Sequence, residues 1–230
     1  MSPPFPRTGH AWSFERQLML NGLLVVLSFI SASSVYAQPI AVPRIVVRSY
    51  NTIGVPLPVL NRAESTIANL LRQAGMDSSW RNCRTMQGPS SQSTDWCSDV
   101  LTASEVIVRI VRAPRAITDA EVLGYSHVDA YRRQGTLATV FADRVRTLAA
   151  ALRTDEGTLL GRAITHELGH LLLGTLDHSE TGLMRGAWNT PGRRRSDWFF
   201  SSSEADRMRA GLDARVLSTP LAVARVQSTR

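Results

Sequence analysis

Three side chains that could work together on a metal ion occur within one short stretch of the chain. They are His166, Glu167 and His170, in the pattern His-Glu-x-x-His. In an α-helix, residues four apart lie on one face about one turn from each other, so both imidazoles can reach a single ion. Glu167 would then lie beside the metal as a general base that takes a proton from an activated water and passes it to the leaving amine. The pattern predicts a catalytic metal site on a helix.

The residues around this pattern are mostly apolar. The positions that flank the two histidines are Ile164, Leu168, Leu171, Leu172 and Leu173. A helix with this composition is buried, and its polar side chains must find partners inside the protein. A metal ion is one such partner. Two core histidines that only hydrogen-bond to backbone carbonyls are the simpler alternative.

The residues that follow the pattern resemble the metzincin metalloproteases. Gly174 comes directly after the apolar run, His178 four residues later, and Met184 six residues beyond that. In metzincins the pattern is H-E-x-x-H-x-x-G-x-x-H, followed by a turn that contains methionine. The resemblance covers residues 163–184 and implies a role for each matched position. His166, His170 and His178 would be zinc ligands, Glu167 the general base, Gly174 the turn glycine and Met184 the Met-turn residue.

The spacing around Gly174 differs from the metzincin pattern and leaves the third ligand open. Three residues separate His170 from Gly174 and three more separate Gly174 from His178, where the family has two and two. Asp177 is an alternative third ligand, since some metzincins use aspartate and zinc accepts either imidazole or carboxylate. Glu204 is another, by analogy with thermolysin-like enzymes. Its simpler role is in the first turn of a helix capped by a serine.

Residues 1–37 have the features of a signal peptide. Arg7 and Arg16 precede an apolar run at 18–30, and Val35-Tyr36-Ala37 suits a signal peptidase. The run is short for a membrane span. Cleavage after Ala37 would leave residues 38–230 as one catalytic domain with no stable membrane span, secreted or periplasmic. A retained anchor is the alternative.

Charge and cysteine content narrow the class of protein further. The formal net charge is +7, and the run Arg193-Arg194-Arg195 is most simply a solvated loop. No aromatic interleaving or groove-reading motif indicates a nucleic-acid partner. The two cysteines, Cys83 and Cys97, predict one disulfide in an exported protein.

Hydrophobic periodicity predicts an α+β fold. Strands are predicted at 41–47, 105–111, 122–128 and 136–145, a helix or turn at 146–152, and helices at 61–74, 159–173 and 203–214. This order is that of a metzincin-like single catalytic domain, with a mixed twisted sheet, an active-site helix and a C-terminal helix. By the same resemblance, segment 122–128 is a candidate edge strand that pairs with an extended peptide.

Several aromatic residues have both a catalytic and a packing interpretation. Tyr125 and Tyr131 could donate to the oxyanion that forms when water attacks a carbonyl. The residues after the Met-turn that could line a specificity pocket are Trp188, Trp198, Phe199 and Phe200. Packing is the simpler role for all six. His127, on the candidate edge strand, is interpreted as a surface or substrate-facing residue.

The predicted function is that of an exported zinc metalloendopeptidase, a hydrolase that acts on a protein or peptide substrate with Zn²⁺ as its cofactor. Two alternatives remain open. One is an exported zinc-binding or structural module without turnover, and the other is a zinc amidase that acts on a non-peptide amide by the same water chemistry.

Overall fold

Residues 42–83, 97–188 and 195–218 are described by the computed structural model of the chain. The predicted signal peptide and its cleavage site lie outside these residues, as do Arg193 and Arg194 and most of the loop between the two cysteines. Among the described helices, none is both long and apolar enough to cross a membrane.

The sheet has five strands in the order β2-β1-β3-β5-β4. They are β1 (Arg44–Asn51), β2 (Asp77–Cys83), β3 (Glu105–Val111), β4 (Gly124–Asp129) and β5 (Gln134–Phe141). The neighbours β2-β1, β1-β3 and β3-β5 are parallel, whereas β4 runs antiparallel to β5. The mixed sheet of the predicted fold class is confirmed, and β4 forms one edge of the sheet.

Four α-helices complete the described fold. They are α1 (Leu57–Gln73), α2 (Ala142–Ala151), α3 (Glu156–Leu173) and α4 (Ser202–Ser218), with a 3-10 turn at Arg195–Trp198. Helix α3 begins at the N-cap Asp155, whose side chain accepts a hydrogen bond from the Thr158 amide at 2.7 Å. It ends at Gly174, which has a left-handed φ of 65°. The helix carrying the His-Glu-x-x-His pattern therefore has a clear start and stop.

Helix α3 is the centre of the core. It packs against α1 on one side and against β4 and β5 on another. The contact with α1 is close because a side chain at Gly161 would meet the Ala63 carbonyl at 2.7 Å. Most α3 residues are buried around its whole circumference, as expected for a helix enclosed by other elements.

Two local predictions differ from the structure. Strand β2 was not predicted, because its residues Asp77, Ser78, Ser79, Arg81 and Asn82 have little strand propensity. It forms through its pairing with β1 at the other edge of the sheet. The strand predicted at 136–145 is wrong over its last four residues, which belong to α2. Asp143 lies in the first turn of α2, where a carboxylate interacts favourably with the helix dipole.

The predicted disulfide between Cys83 and Cys97 is present, with a Cα–Cα distance of 5.8 Å. It links the end of β2 to the segment that leads into β3.

A buried ion pair joins β1 to β3. The guanidinium of Arg48 donates to both oxygens of Glu105, at 3.2 and 2.6 Å, and both side chains are almost fully buried. Arg81 donates to Glu105 at 2.8 Å and the Thr102 amide donates at 2.9 Å. Burial by itself raises the pKa of Glu105, but the hydrogen bonds and charge of Arg48 and the Thr102 amide outweigh burial, and the pKa lies below its ordinary value.

Replacing Glu105 with Gln is expected to lower the free energy of unfolding at pH 7 by about 3 to 5 kcal/mol, because Arg48 loses its buried counter-charge. The carboxylate has a lowered pKa, so it stabilises the fold above its unfolded-state pKa, and this stabilisation is lost as the pH falls. The difference between wild type and Glu105→Gln in urea titrations should therefore shrink on acidification. Asp77→Asn, in the exposed pair with Arg44, is the matched control and should change stability by at most about 1 kcal/mol. Equal effects of both variants would contradict this assignment.

Candidate metal centre

The two helical histidines point their rings at the same place. His166 and His170 are 8% and 4% exposed, and their Nε2 atoms are 3.0 Å apart. On the other side of each ring, Nδ1 lies 2.8 Å from the Leu183 carbonyl oxygen in His166 and 2.9 Å from the Thr175 carbonyl oxygen in His170. A carbonyl can only accept, so each neutral ring carries its proton on Nδ1, as inferred from this network.

Burial favours the neutral form of both rings. It lowers the pKa of His166 to about 3, with repulsion from His170 adding to the effect, and it also lowers the pKa of His170. In the neutral tautomers assigned from the carbonyl contacts, the two Nε2 atoms face each other with their lone pairs. A cation satisfies this arrangement: zinc binds imidazole nitrogen at about 2.0–2.1 Å in tetrahedral geometry, which places two ligand nitrogens about 3.3 Å apart. The donor set fits zinc.

The third histidine joins this pair from the loop that follows α3. One ligand atom from each of His166, His170 and His178 lies within 4.8 Å of the others. The His178 ring stacks on His166 at a centroid distance of 5.2 Å. Its side chain is exposed, whereas the two helical histidines are buried. Within the described residues, this is the group of histidine, cysteine and acidic side chains that could hold a metal.

The two alternative third ligands have other partners. Asp177 accepts a hydrogen bond from the Thr175 hydroxyl at 2.7 Å, and its amide donates to the same hydroxyl at 3.1 Å. Glu204 accepts from the Ser201 amide at 2.7 Å and from the Ser179 hydroxyl. The geometry therefore favours His178 as the third ligand.

Glu167 lies beside the histidines and against the edge strand. It is buried, and the Ser126 hydroxyl of β4 lies 2.8 Å from its Oε2 atom and 2.9 Å from its carbonyl oxygen. Burial raises the pKa of Glu167 to about 7, although the Ser126 hydrogen bond opposes the rise. Ser126 was not identified from the sequence, because a lone serine in a strand has no pattern that points to a residue 41 positions away.

The turn that contains Met184 packs against helix α3 between the two helical histidines. A β-carbon placed on Gly169, between the two helical histidines, would overlap the Met184 sulfur, so the thioether packs directly against the helix backbone. The preceding residue, Leu183, provides the carbonyl that orients His166, and its amide donates to the Phe199 carbonyl at 2.8 Å. This turn therefore packs against helix α3 and also orients the ring of His166.

Arg185 holds this turn in place and was not singled out in the sequence. Its guanidinium is buried and donates to the carbonyls of Gly182, at 2.8 Å, and Ala187, at 3.1 Å, and also to the Asp197 carbonyl. It also lies 4.5 Å from the centre of the Trp198 ring, within the range of a cation–π contact.

A cavity of about 610 Å³ opens at the histidines. Its lining comes from residues 119–126, α2, α3, the loop after α3 and residues 185–188. It combines apolar side chains, including Leu123, Leu148, Ala151, Ala163 and Trp188, with the charged residues Asp119, Glu121, Arg144 and Arg185. Arg144 of α2 fixes the wall before β4. Its guanidinium donates to the Val122 carbonyl at 2.8 Å and to the carbonyls of Ile117 and Asp119.

The aromatic candidates divide between the cavity and the surface. Tyr125 lines the cavity, and Trp188 lines it while its ring meets His166 edge to face at 5.5 Å. Trp198 packs on Trp188. Tyr131 is 97% exposed in the β4–β5 turn, outside the cavity lining. His127 also lies outside that lining.

Neither a protein-family model nor a curated protein sequence matches the chain. Among solved structures, the chain is similar to archaemetzincin from Methanopyrus kandleri, with 13% identity and a TM-score of 0.49 over 74% of this chain and 97% of that one. It is also similar to metalloproteinase-II from Bacteroides fragilis, with 13% identity and a TM-score of 0.47 over 76% of this chain. The chain spans only 55% of that second protein.

Proposed function

We propose that this chain is a zinc-dependent metallopeptidase of metzincin-like type that hydrolyses internal peptide bonds. The observation that carries the proposal is the convergence of three imidazoles and one buried carboxylate in the lining of one cavity. His166, His170 and His178 would hold the metal. Bound zinc supplies a Lewis acid that polarises a carbonyl and makes water a nucleophile near neutral pH.

Glu167 is the proposed proton carrier. Its carboxylate lies beside the ligands without belonging to them, so it can take a proton from the attacking water and deliver it to the leaving amine. The Ser126 hydroxyl at 2.8 Å holds this carboxylate toward β4, and the edge strand thereby orients the base.

Strand β4 is the proposed binding site for the substrate backbone. It pairs with β5 on one side and forms the edge of the described sheet on the other. An extended peptide can add to such an edge through main-chain hydrogen bonds. Because Ser126 of β4 contacts Glu167, a peptide on this edge would pass next to the base and the histidines.

The cavity is the proposed binding site for one substrate side chain. Leu123, Leu148 and Ala163 contribute to its apolar wall, and burial of apolar surface there favours an aliphatic or aromatic side chain over a charged one. We therefore infer a protein or peptide substrate with an apolar residue next to the cleaved bond.

We also infer export. The disulfide between Cys83 and Cys97 is typical of proteins that mature in an oxidising compartment, and residues 1–37 have a signal-peptide pattern. The intact mass of the exported protein should correspond to a chain that begins at Gln38.

The test of the function is a digest of a broad peptide library by the protein purified after export, loaded with one equivalent of zinc. Cleavage next to apolar residues is expected, together with its loss on chelation and its return on zinc addition. Mass spectrometry of the products reports both the activity and the preference.

Two results would contradict the proposal. Zinc binding without cleavage of any peptide would favour a non-catalytic zinc module or an amidase for non-peptide substrates. A protein that takes up no zinc would favour two core histidines that only satisfy backbone carbonyls.

A further inference from the structure

The three histidines are held with very different rigidity. His166 and His170 belong to a buried helix, whereas His178 is exposed and lies in a segment without regular structure. A ligand on such a segment must be ordered before it can bind, and this ordering costs conformational entropy. Contacts that hold the His178 segment in advance would therefore strengthen metal binding.

The residue next to His178 has two such contacts. The Ser179 amide donates to the Met184 carbonyl at 2.9 Å, which ties the segment to the turn under the helix. The Ser179 hydroxyl donates to Oε1 of Glu204 in the first turn of α4. The contact with Glu204 therefore links the His178 segment to helix α4.

The position of Glu204 is only partly explained by helix capping. Its Oε2 atom accepts from the Ser201 amide at 2.7 Å, and its own amide donates to the Ser201 hydroxyl at 3.3 Å, which together form a capping box. A capping box needs only one carboxylate oxygen. Glu204 is nevertheless 3% exposed, and its second oxygen accepts from Ser179.

We propose that Glu204 is a positioning residue for the metal site, which acts through the Ser179 hydroxyl to hold His178 beside the two helical histidines. This inference rests on the metal-binding part of the proposed function. Zinc binding requires an ordered His178 segment, and the Ser179–Glu204 contact orders that segment. Zinc binding and the first turn of α4 therefore stabilise each other.

The direct test compares zinc affinity in three serine variants of the full chain, by competition with a chromophoric chelator. Ser179→Ala removes the contact between the loop and Glu204 and is expected to raise the zinc Kd by more than about twofold and by at most about 100-fold, the upper end of the effect of losing a hydrogen bond to a metal ligand itself. Ser179→Thr keeps a hydroxyl and should bind zinc nearly as wild type does. Ser201→Ala removes the hydroxyl that accepts from the Glu204 amide but keeps the Ser179–Glu204 contact, so it should lower the Tm and raise the Kd less than Ser179→Ala does.

A double mutant separates positioning from general stability. In a His178→Ala background, Ser179→Ala should have no further effect on zinc affinity, because its effect passes through His178. Hydrogen exchange supplies a second readout: zinc should slow exchange of the amides of the first turn of α4 in wild type, and more than in Ser179→Ala.

Three results would overturn the inference. The first is a zinc Kd of Ser179→Ala within about twofold of wild type while wild type binds zinc, which would leave the proposed function intact. The second is an equal rise in Kd for Ser201→Ala, which would assign the effect to the cap. The third is a wild type that binds no zinc, which would remove the proposed function as well.

Discussion

Glu167→Gln is expected to abolish peptide cleavage while zinc remains bound. Glutamine has the size of glutamate and its carbonyl can still accept the Ser126 hydrogen bond, so the helix and both histidines should stay in place. The amide cannot take the proton of the attacking water, and general-base catalysis is worth about 10²–10⁴-fold in rate. The measurement is kcat/KM on the best library peptide, beside zinc stoichiometry and Tm.

The matched control for this variant is Ser126→Ala. It removes the hydroxyl that orients the carboxylate and leaves the base itself, so activity should fall about tenfold or less, well short of the loss in Glu167→Gln. Glu167→Ala should likewise retain zinc and lose activity. A Glu167→Gln enzyme within tenfold of wild-type activity would remove Glu167 from the mechanism.

His178→Ala is expected to weaken zinc binding by more than about 100-fold, whereas Asp177→Ala should change it by less than about tenfold. Loss of a direct ligand should exceed the 10- to 100-fold effect of losing an outer contact. Asp177 bonds with Thr175, and the Thr175 carbonyl orients His170, so its replacement should have a smaller, indirect effect. Zinc titration of both variants beside wild type gives the comparison.

Other results for His178→Ala and Asp177→Ala would contradict the assignment of His178 as the third ligand. Zinc loss in Asp177→Ala alone would make the aspartate the third ligand. Equal zinc retention in both variants would mean that neither residue is the third ligand.

The metzincin resemblance and the His-Glu-x-x-His pattern predicted most about the site residues that lie on a single helix, α3. His166 and His170 share a face because of the repeat of the α-helix, and Glu167 lies to one side of them. The apolar residues around them correctly predicted burial, and Gly174 correctly predicted the end of the helix. The fold class was also accessible, because strands β1, β3 and β5 carry β-branched residues. Strand β2 was not, since only its pairing with β1 makes a strand of a polar segment.

Spacing could not decide how the additional residues around Gly174 are accommodated. In the structure α3 continues to Leu173, and Gly174 turns the chain with a positive φ. A β-carbon at Gly174 would also overlap the Arg133 carbonyl of the β4–β5 turn, so glycine is needed both for its φ and for this close approach. The loop then returns His178, and not Asp177, to the helical histidines.

The sequence by itself determined the chemistry of the helix: two imidazoles and a carboxylate at helical spacing, in an apolar context that demands partners for them. Only the tertiary structure decided which groups surround that helix. The Leu183 and Thr175 carbonyls orient the rings, Ser126 holds the carboxylate, Glu204 reaches the His178 segment, and five separate segments line the cavity. The physical reason is that helical periodicity is local, whereas these contacts join segments that meet only when the sheet, the helices and the turn pack together.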